Sequence, residues 1–261
     1  MPADAVYIMA GALVGFCIGL TGVGGGSLMT PLLLALGLPA PTAIGTDLLY
    51  ASITKAGSAW IHWRQQHVRW PVVIALACGS LPSALLTLDI LHHSHLAHRG
   101  LDLLMHKILA GMLLLTGISL IGKQRLQAHA RHKTPHTANT ISRRSLALST
   151  CTGLILGPLI TLSSVGAGAI GVVVLMLLYP RLRTHELMGS DVVHAVLLSA
   201  VAGLGHQQMG RVDLHLLFSL CLGSLPATLI GTQLSTRAPE ATLRYILGTT
   251  LLLVAGKFAF F

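Results

Sequence analysis

Charge is the scarcest thing in this chain. Only 10% of its 261 residues are Asp, Glu, Lys or Arg, where a soluble domain carries about 25%. Acids are scarcer still, at 8 against 17 basic residues. A soluble globule of this size cannot cover its surface with so few charges. That class is excluded, and an integral membrane protein is indicated. Aromatics make up 5% and no basic patch is interleaved with them, so the net charge of +9 does not signal nucleic-acid binding. The four Cys (17, 78, 151 and 221) are scattered through apolar runs with no CxxC. Neither a disulfide framework nor a zinc site is suggested, and no cofactor is implied. Met1-Pro2-Ala3-Asp4 lacks the basic start of a signal peptide. No Ser/His/Asp or Cys/His arrangement emerges from spacing, so no enzyme mechanism is indicated.

What fills the chain is apolar: 53% hydrophobic residues and a mean hydropathy of +0.74. Apolar segments cover approximately 5–37, 42–61, 70–91, 101–122, 145–179, 186–204, 213–234 and 242–261. Several reach the ~20 residues that a helix needs to span a bilayer. Their Leu, Ala and Gly content argues for helices, not for the short alternation of a membrane β-barrel. One stretch, 123–144, is clearly polar. It carries Lys123, Arg125, Arg131, Lys133, Arg143 and Arg144 and no acid. It separates a first transmembrane repeat, 1–122, from a second, 145–261.

The first apolar segment is broken in its middle by Gly22-Val23-Gly24-Gly25-Gly26-Ser27. Each glycine costs roughly 1 kcal/mol relative to Ala inside a helix. Irregular backbone at membrane depth is tolerated only where it is buried in protein or lines a cavity. The glycine stretch is therefore a candidate binding loop.

The two halves match. Gly45-Thr46-Asp47 returns as Gly189-Ser190-Asp191, His62 as His206, Val68 as Val212, and Gly79-Ser80-Leu81-Pro82 as Gly223-Ser224-Leu225-Pro226. All of these pairs lie 144 residues apart, and the same spacing sets Gly22 and Gly24 on Gly166 and Gly168. Duplicated halves are a signature of secondary transporters.

Loop charge separates two arrangements. If the broken segments dip in and return, one side holds Arg64, Arg69, the six linker residues, Arg181, Arg183, Arg237 and Arg244. The other holds Arg99, Lys107, Arg211 and Lys257. If they cross fully, the imbalance is smaller. The positive-inside rule favours the first, with a cytoplasmic linker, external termini and inverted repeats. The expected architecture is all-α: a polytopic helical transporter in which each repeat is a Gly-broken helix plus three spans.

Several residues can carry chemistry. A helix starting just after a glycine loop offers backbone N–H groups and a positive dipole end, which together cradle an anion. The candidates are Gly22, Val23, Gly24, Gly25, Gly26 and Ser27, with Ser163, Ser164, Gly166 and Gly168 in the second half. Close helix packing is the plainer role for such small residues. Lys55 is the one basic residue well inside an apolar segment, and an ionisable group there is a functional candidate. Asp47, Thr54, Ser58 and His62 share a helical face beside it, as do Asp191, Ser199 and His206. Asp47, Asp191, His62 and His206 are candidates for proton coupling or gating. For the two Asp, helix capping is the plainer alternative; for the two His, an interfacial position. His92, His93, His95 and His98 cluster without a carboxylate or Cys, so no metal site is assigned.

The run Gly19 to Pro31 with Ala43-Ile44-Gly45-Thr46-Asp47 resembles the TauE/SafE family of membrane permeases, as do the paired Gly-Ser-Leu-Pro motifs and the two-half layout. The resemblance covers essentially the whole chain. It implies a transporter that exports small sulfur-containing anions, such as sulfite, sulfoacetate or related organosulfonates, across the inner membrane of a bacterium. An anion channel, or a permease for another small anion, is the alternative. A homodimer is left open. Asp47 stands where many family members have Ser, and Gln65 to Trp70 departs from the common Gly-x-Val-Asp-Trp form, which bears on the substrate. The re-entrant arrangement predicts that a reporter fused after Phe261 is active outside the cytoplasm; cytoplasmic activity refutes it.

Overall fold

The computed structural model describes residues 3–21, 26–93, 98–133, 141–235 and 248–256. Every regular element among them is helical: α1 (Ala3–Thr21), α2 (Gly26–Ala35), α3 (Ala40–Arg64), α4 (Trp70–His93), α5 (His98–Lys133), α6 (Arg143–Ser163), α7 (Ile170–Leu178), α8 (Thr184–Gln208) and α9 (Leu214–Ser235). A further helical stretch covers 248–256. Five are long and apolar enough to cross a membrane: Trp70–His93, Gly100–Leu120, Arg143–Ser163, Thr184–Gln208 and Leu214–Leu234. Large apolar side chains such as Leu86, Ile155 and Leu229 point outward and are more than half exposed. In water that surface would drive aggregation; against lipid tails it is the expected exterior. The molecule is an integral, multi-pass helical membrane protein.

Both broken segments resolve into a long and a short helix. α1 has 19 residues and α2 has 10; α6 has 21 and α7 has 9. Gly22 to Gly25 lie outside the described residues, Gly26 opens α2, and Ser27 follows within it. Each broken segment begins and ends at the same end of the bundle. Asp4 of α1 lies 3.6 Å from His215 at the start of α9, and the residues closing α2 share a cavity wall with Arg211, just before α9. In the second half, Ser149 near the start of α6 bonds the hydroxyl of Tyr179 at the close of α7, at 2.8 Å. The backbone of α5 continues helical through Lys133, into the polar stretch 123–144.

The dominant packing exchanges partners between halves. α1 of the first half lies along α9 of the second, and α4 lies along α6. Glycines make this possible. A Cβ added to Gly11 would sit 2.2 Å from the Leu220 carbonyl oxygen, and one on Gly223 would sit 2.0 Å from that of Ile8. The other pair repeats the pattern. A Cβ on Gly153 would sit 2.2 Å from the Leu76 carbonyl oxygen, and one on Gly79 would sit 2.0 Å from that of Thr150. Without a hydrophobic drive between helices in lipid, such close backbone approach supplies the contact energy.

α3 and α8 cross at the centre. Gly45 meets His206, Leu49 meets Gly203, and His62 meets Gly189, so the two run antiparallel. Each ends in the same turn. Gln66 N–H donates to Trp63 O and His67 N–H to His62 O; Gly210 N–H donates to Gln207 O and Arg211 N–H to His206 O. This is the Schellman pattern, which needs a left-handed residue just past the helix. Gly210 supplies it at φ 67° and Gln66 at φ 58°. The next contact repeats as well. Arg69 N–H donates to Ser190 Oγ at 2.8 Å, and Asp213 N–H donates to Thr46 Oγ1 at 3.1 Å.

Gly79→Val places a branched side chain where no Cβ fits. Overpacking of this kind costs roughly 1–3 kcal/mol or more. The variant is expected to lose its monodisperse peak in fluorescence-detected size exclusion at a temperature well below the wild type's, and Gly223→Val should behave alike.

Candidate functional site

α3 carries two ionisable side chains into the middle of the bundle. Asp47 is fully buried and Lys55 is 6% exposed. A buried ion costs several kcal/mol unless its surroundings compensate. Lys55 Nζ donates to the carbonyl of Ala167 at 3.1 Å. It lies within electrostatic reach of both Asp191 and Asp47. Asp47 sits two turns earlier on the same helix, about 12 Å along its axis, so it acts on the ammonium from a distance. The register of the α3–α8 crossing puts Lys55 near its midpoint.

Ala167 belongs to the loop that interrupts the second half. Its backbone turns left-handed at Ser164 (φ 58°), Gly166 (φ 106°) and Gly168 (φ 109°), where glycine is the residue without steric cost. Ser163 Oγ donates to Leu159 O at 2.6 Å and accepts from Val165 N–H at 3.2 Å, which ties the loop to the end of α6. Ser164 is buried, its hydroxyl enclosed without a hydrogen-bond partner. The structure thus brings Lys55 against the loop of Ser164, Gly166 and Gly168 through Ala167, with Ser163 tying the loop to α6 and Asp47 two turns away on α3. The loop contact to Lys55 is made by a carbonyl, where the sequence suggested backbone N–H donors. The first-half candidates Gly22, Val23, Gly24 and Gly25 fall outside the described residues.

The two aspartates are not helix caps. α3 begins at Ala40 and α8 at Thr184, so Asp47 and Asp191 lie two turns inside. Each faces the short helix of its own half. Asp47 Oδ2 accepts a hydrogen bond from Thr30 of α2. Asp191 Oδ1 stands where a Cβ on Gly171 of α7 would lie, 1.9 Å away. A carboxylate there meets the positive end of the α7 dipole.

The histidines lie apart from Lys55, at opposite ends of the crossing. His206 is fully buried, not interfacial as its place at a segment end suggested. A carbonyl can only accept, so its Nε2 carries the proton donated to Thr161 O at 3.0 Å. His62 is half-buried beside His67, with ring centroids 5.9 Å apart, and His67 lies 4.3 Å from His185. Thr54 and Ser58 do not line the site. Thr54 Oγ1 bonds back to Tyr50 O at 2.8 Å, and Ser58 is exposed. The buried face of α3 runs instead through Tyr50, Ala51 and Lys55.

Two polar links escaped the sequence. Tyr50 donates to Ser224 Oγ at 2.6 Å, and His194 Nε2 bonds Ser80 Oγ at 2.7 Å. Tyr50 and His194 are 144 residues apart, as are Ser80 and Ser224. The serines repeat in the sequence, but their partners differ in type, which hid the pairing.

The family model described as Sulfite exporter TauE/SafE matches residues 7–258. The chain is 36% identical over 249 residues to the Probable membrane transporter protein YjnA of Bacillus subtilis (strain 168), covering 95% of this chain and 96% of that protein. It is 25% identical over 244 residues to the Probable membrane transporter protein YdhB of the same organism, covering 92% and 93%. A Probable membrane transporter protein of Xylella fastidiosa (strain 9a5c) is 27% identical over 257 residues, covering 96% and 92%. No solved structure matches the chain.

Gly171→Ala must push Asp191 off the start of α7. The variant is expected to melt at a lower temperature than the wild type in a thermal-shift assay. Thr30→Val, which leaves Asp47 short of a donor, is expected to cost about 1–3 kcal/mol. Unchanged melting of both would contradict the described contacts.

Proposed function

The chain belongs to the TauE/SafE family of membrane transporters, and on that footing we propose that it moves small sulfur-containing oxyanions out of a bacterial cytoplasm across the inner membrane. Sulfite is the first candidate, with sulfoacetate and similar organosulfonates after it. The family's own description names sulfite. The observation that carries the reading is the buried Lys55 ammonium bonded to the carbonyl of the second glycine loop. An oxyanion entering the crossing offers Nζ a charged acceptor in place of a neutral one. Charge-assisted hydrogen bonds are roughly twice as strong as neutral ones. The binding ring is then Lys55, Ser163 to Gly168 and, from the first half, Gly22 to Ser27.

Transport proceeds by alternating access, with the halves rocking about the α3–α8 crossing. The antiparallel run of helices at equivalent places supports an inverted repeat, in which the halves are related by a pseudo-two-fold axis in the membrane plane and can exchange conformations. The membrane potential, inside negative, drives an anion outward by about 2.3 kcal/mol per charge per 100 mV. Asp47 and Asp191, held against the short helices, are the groups through which proton coupling would act, with His62 and His206 as gating groups at the two mouths.

Lys55→Met keeps the length of the stem and removes the charge. In proteoliposomes loaded with sulfite, saturable efflux is expected to fall at least tenfold. Wild-type flux in the variant overturns the site. Loss of saturation with flux retained favours a channel.

A further inference from the structure

At the end of the bundle opposite the basic linker, a cavity of about 860 Å³ opens between the close of α2, the start of α3, the start of α5 and the α8–α9 turn. Three of its lining residues carry ionisable side chains: Asp102, His106 and Arg211. The carboxylate is already engaged. Asp102 Oδ1 accepts from Ala40 N–H at 3.0 Å, and Oδ2 lies 3.5 Å from His106 Nδ1. Arg211 differs. Among the described residues no carboxylate pairs with it, and its Nη1 is enclosed without a hydrogen-bond partner. An enclosed charged donor left unmet is costly. What meets a guanidinium best is an oxyanion, bound through two parallel N–H groups.

The duplication supplies an independent observation. The residue 144 positions before Arg211 is His67. It occupies the same place in the same Schellman turn, and its carbonyl presses on Gly189 as that of Arg211 presses on Gly45. His67 Nδ1 is likewise buried without a partner. Each mouth of the α3–α8 crossing therefore presents a basic side chain with an unmet enclosed nitrogen, and Lys55 lies midway between them.

We propose that the Arg211 cavity is a second binding site for a small oxyanion, a station at the mouth opposite the linker and separate from the Lys55 site. The assignment rests on the anion-transport reading above and adds to it a site where the departing anion is held before release. Arg211 supplies the charge, and Thr42 stands on the cavity wall. The position at the other mouth holds a histidine.

Inorganic sulfate, titrated calorimetrically into purified wild-type protein in detergent, tests the assignment. Two sites are expected. Arg211→Gln should remove one, Arg211→Lys should retain it with weaker affinity, and Lys55→Met should remove the other. Thr42→Asp, which sets a carboxylate against the bound anion and leaves Arg211 in place, should weaken the mouth site at least tenfold. Sulfate binding that is unchanged in both Arg211→Gln and Thr42→Asp overturns the station, as does a wild type that binds no sulfate. A single site lost only with Lys55 also overturns it while leaving the transport reading intact. A site lost with Arg211, alongside unaltered sulfite efflux in Lys55→Met, keeps the station and refutes the central site.

Discussion

A buried ammonium imposes conditions on everything near it. Lys55 sits among packed helices, and the position equivalent to it in the second half, 144 residues on, is Ser199. The charge therefore breaks the symmetry of an otherwise repeated core. It needs an acceptor close by and negative charge within reach. The acceptor comes from backbone, because the interrupted loop frees the Ala167 carbonyl from any helix. The negative charge comes from Asp47 and Asp191, one from each half. Those carboxylates in turn need donors or dipoles, which the short helices α2 and α7 provide. The broken segments, the acids and the lysine thus form one electrostatic unit, and removing any member leaves another uncompensated.

Much of this was legible in the sequence, for a physical reason. Helix positions in lipid are declared by run length and by the scarcity of charge, so the limits 42–61 and 186–204 fall inside α3 and α8. The 144-residue repeat was visible because its members are fixed by contact: Gly45 and Gly189 have no room for a side chain, and Ser80 and Ser224 each hold a polar partner. Lys55 stood out as a charge well inside an apolar run.

What was not legible depends on which surfaces meet. Glycine at 79, 153, 11 and 223 announces close packing without saying against what, so the exchange of α1 and α6 between halves was invisible. The helical wheel placed Ser58 with Asp47, but Ser58 is exposed while Tyr50, Ala51 and Lys55 are the residues that α3 buries there. The aspartates looked like caps because the apolar runs begin near them; the helices themselves start two turns earlier. Tyr50 and His194 were hidden because duplication had preserved their place and not their chemistry.

The exchanged packing has a consequence for how the molecule is made. α1 is synthesised some two hundred residues before α9, whose Leu220 and Ser224 its glycine face fits. Until then that face has no mate, and the contact that completes it is among the most distant in sequence that the chain can form. Contacts so far apart are slow to form, and a chain waiting for them is open to misassembly. Neither half is a finished folding unit. A membrane protein that is double in design is therefore single in assembly: α1 must wait in the membrane for α9 before the bundle can close.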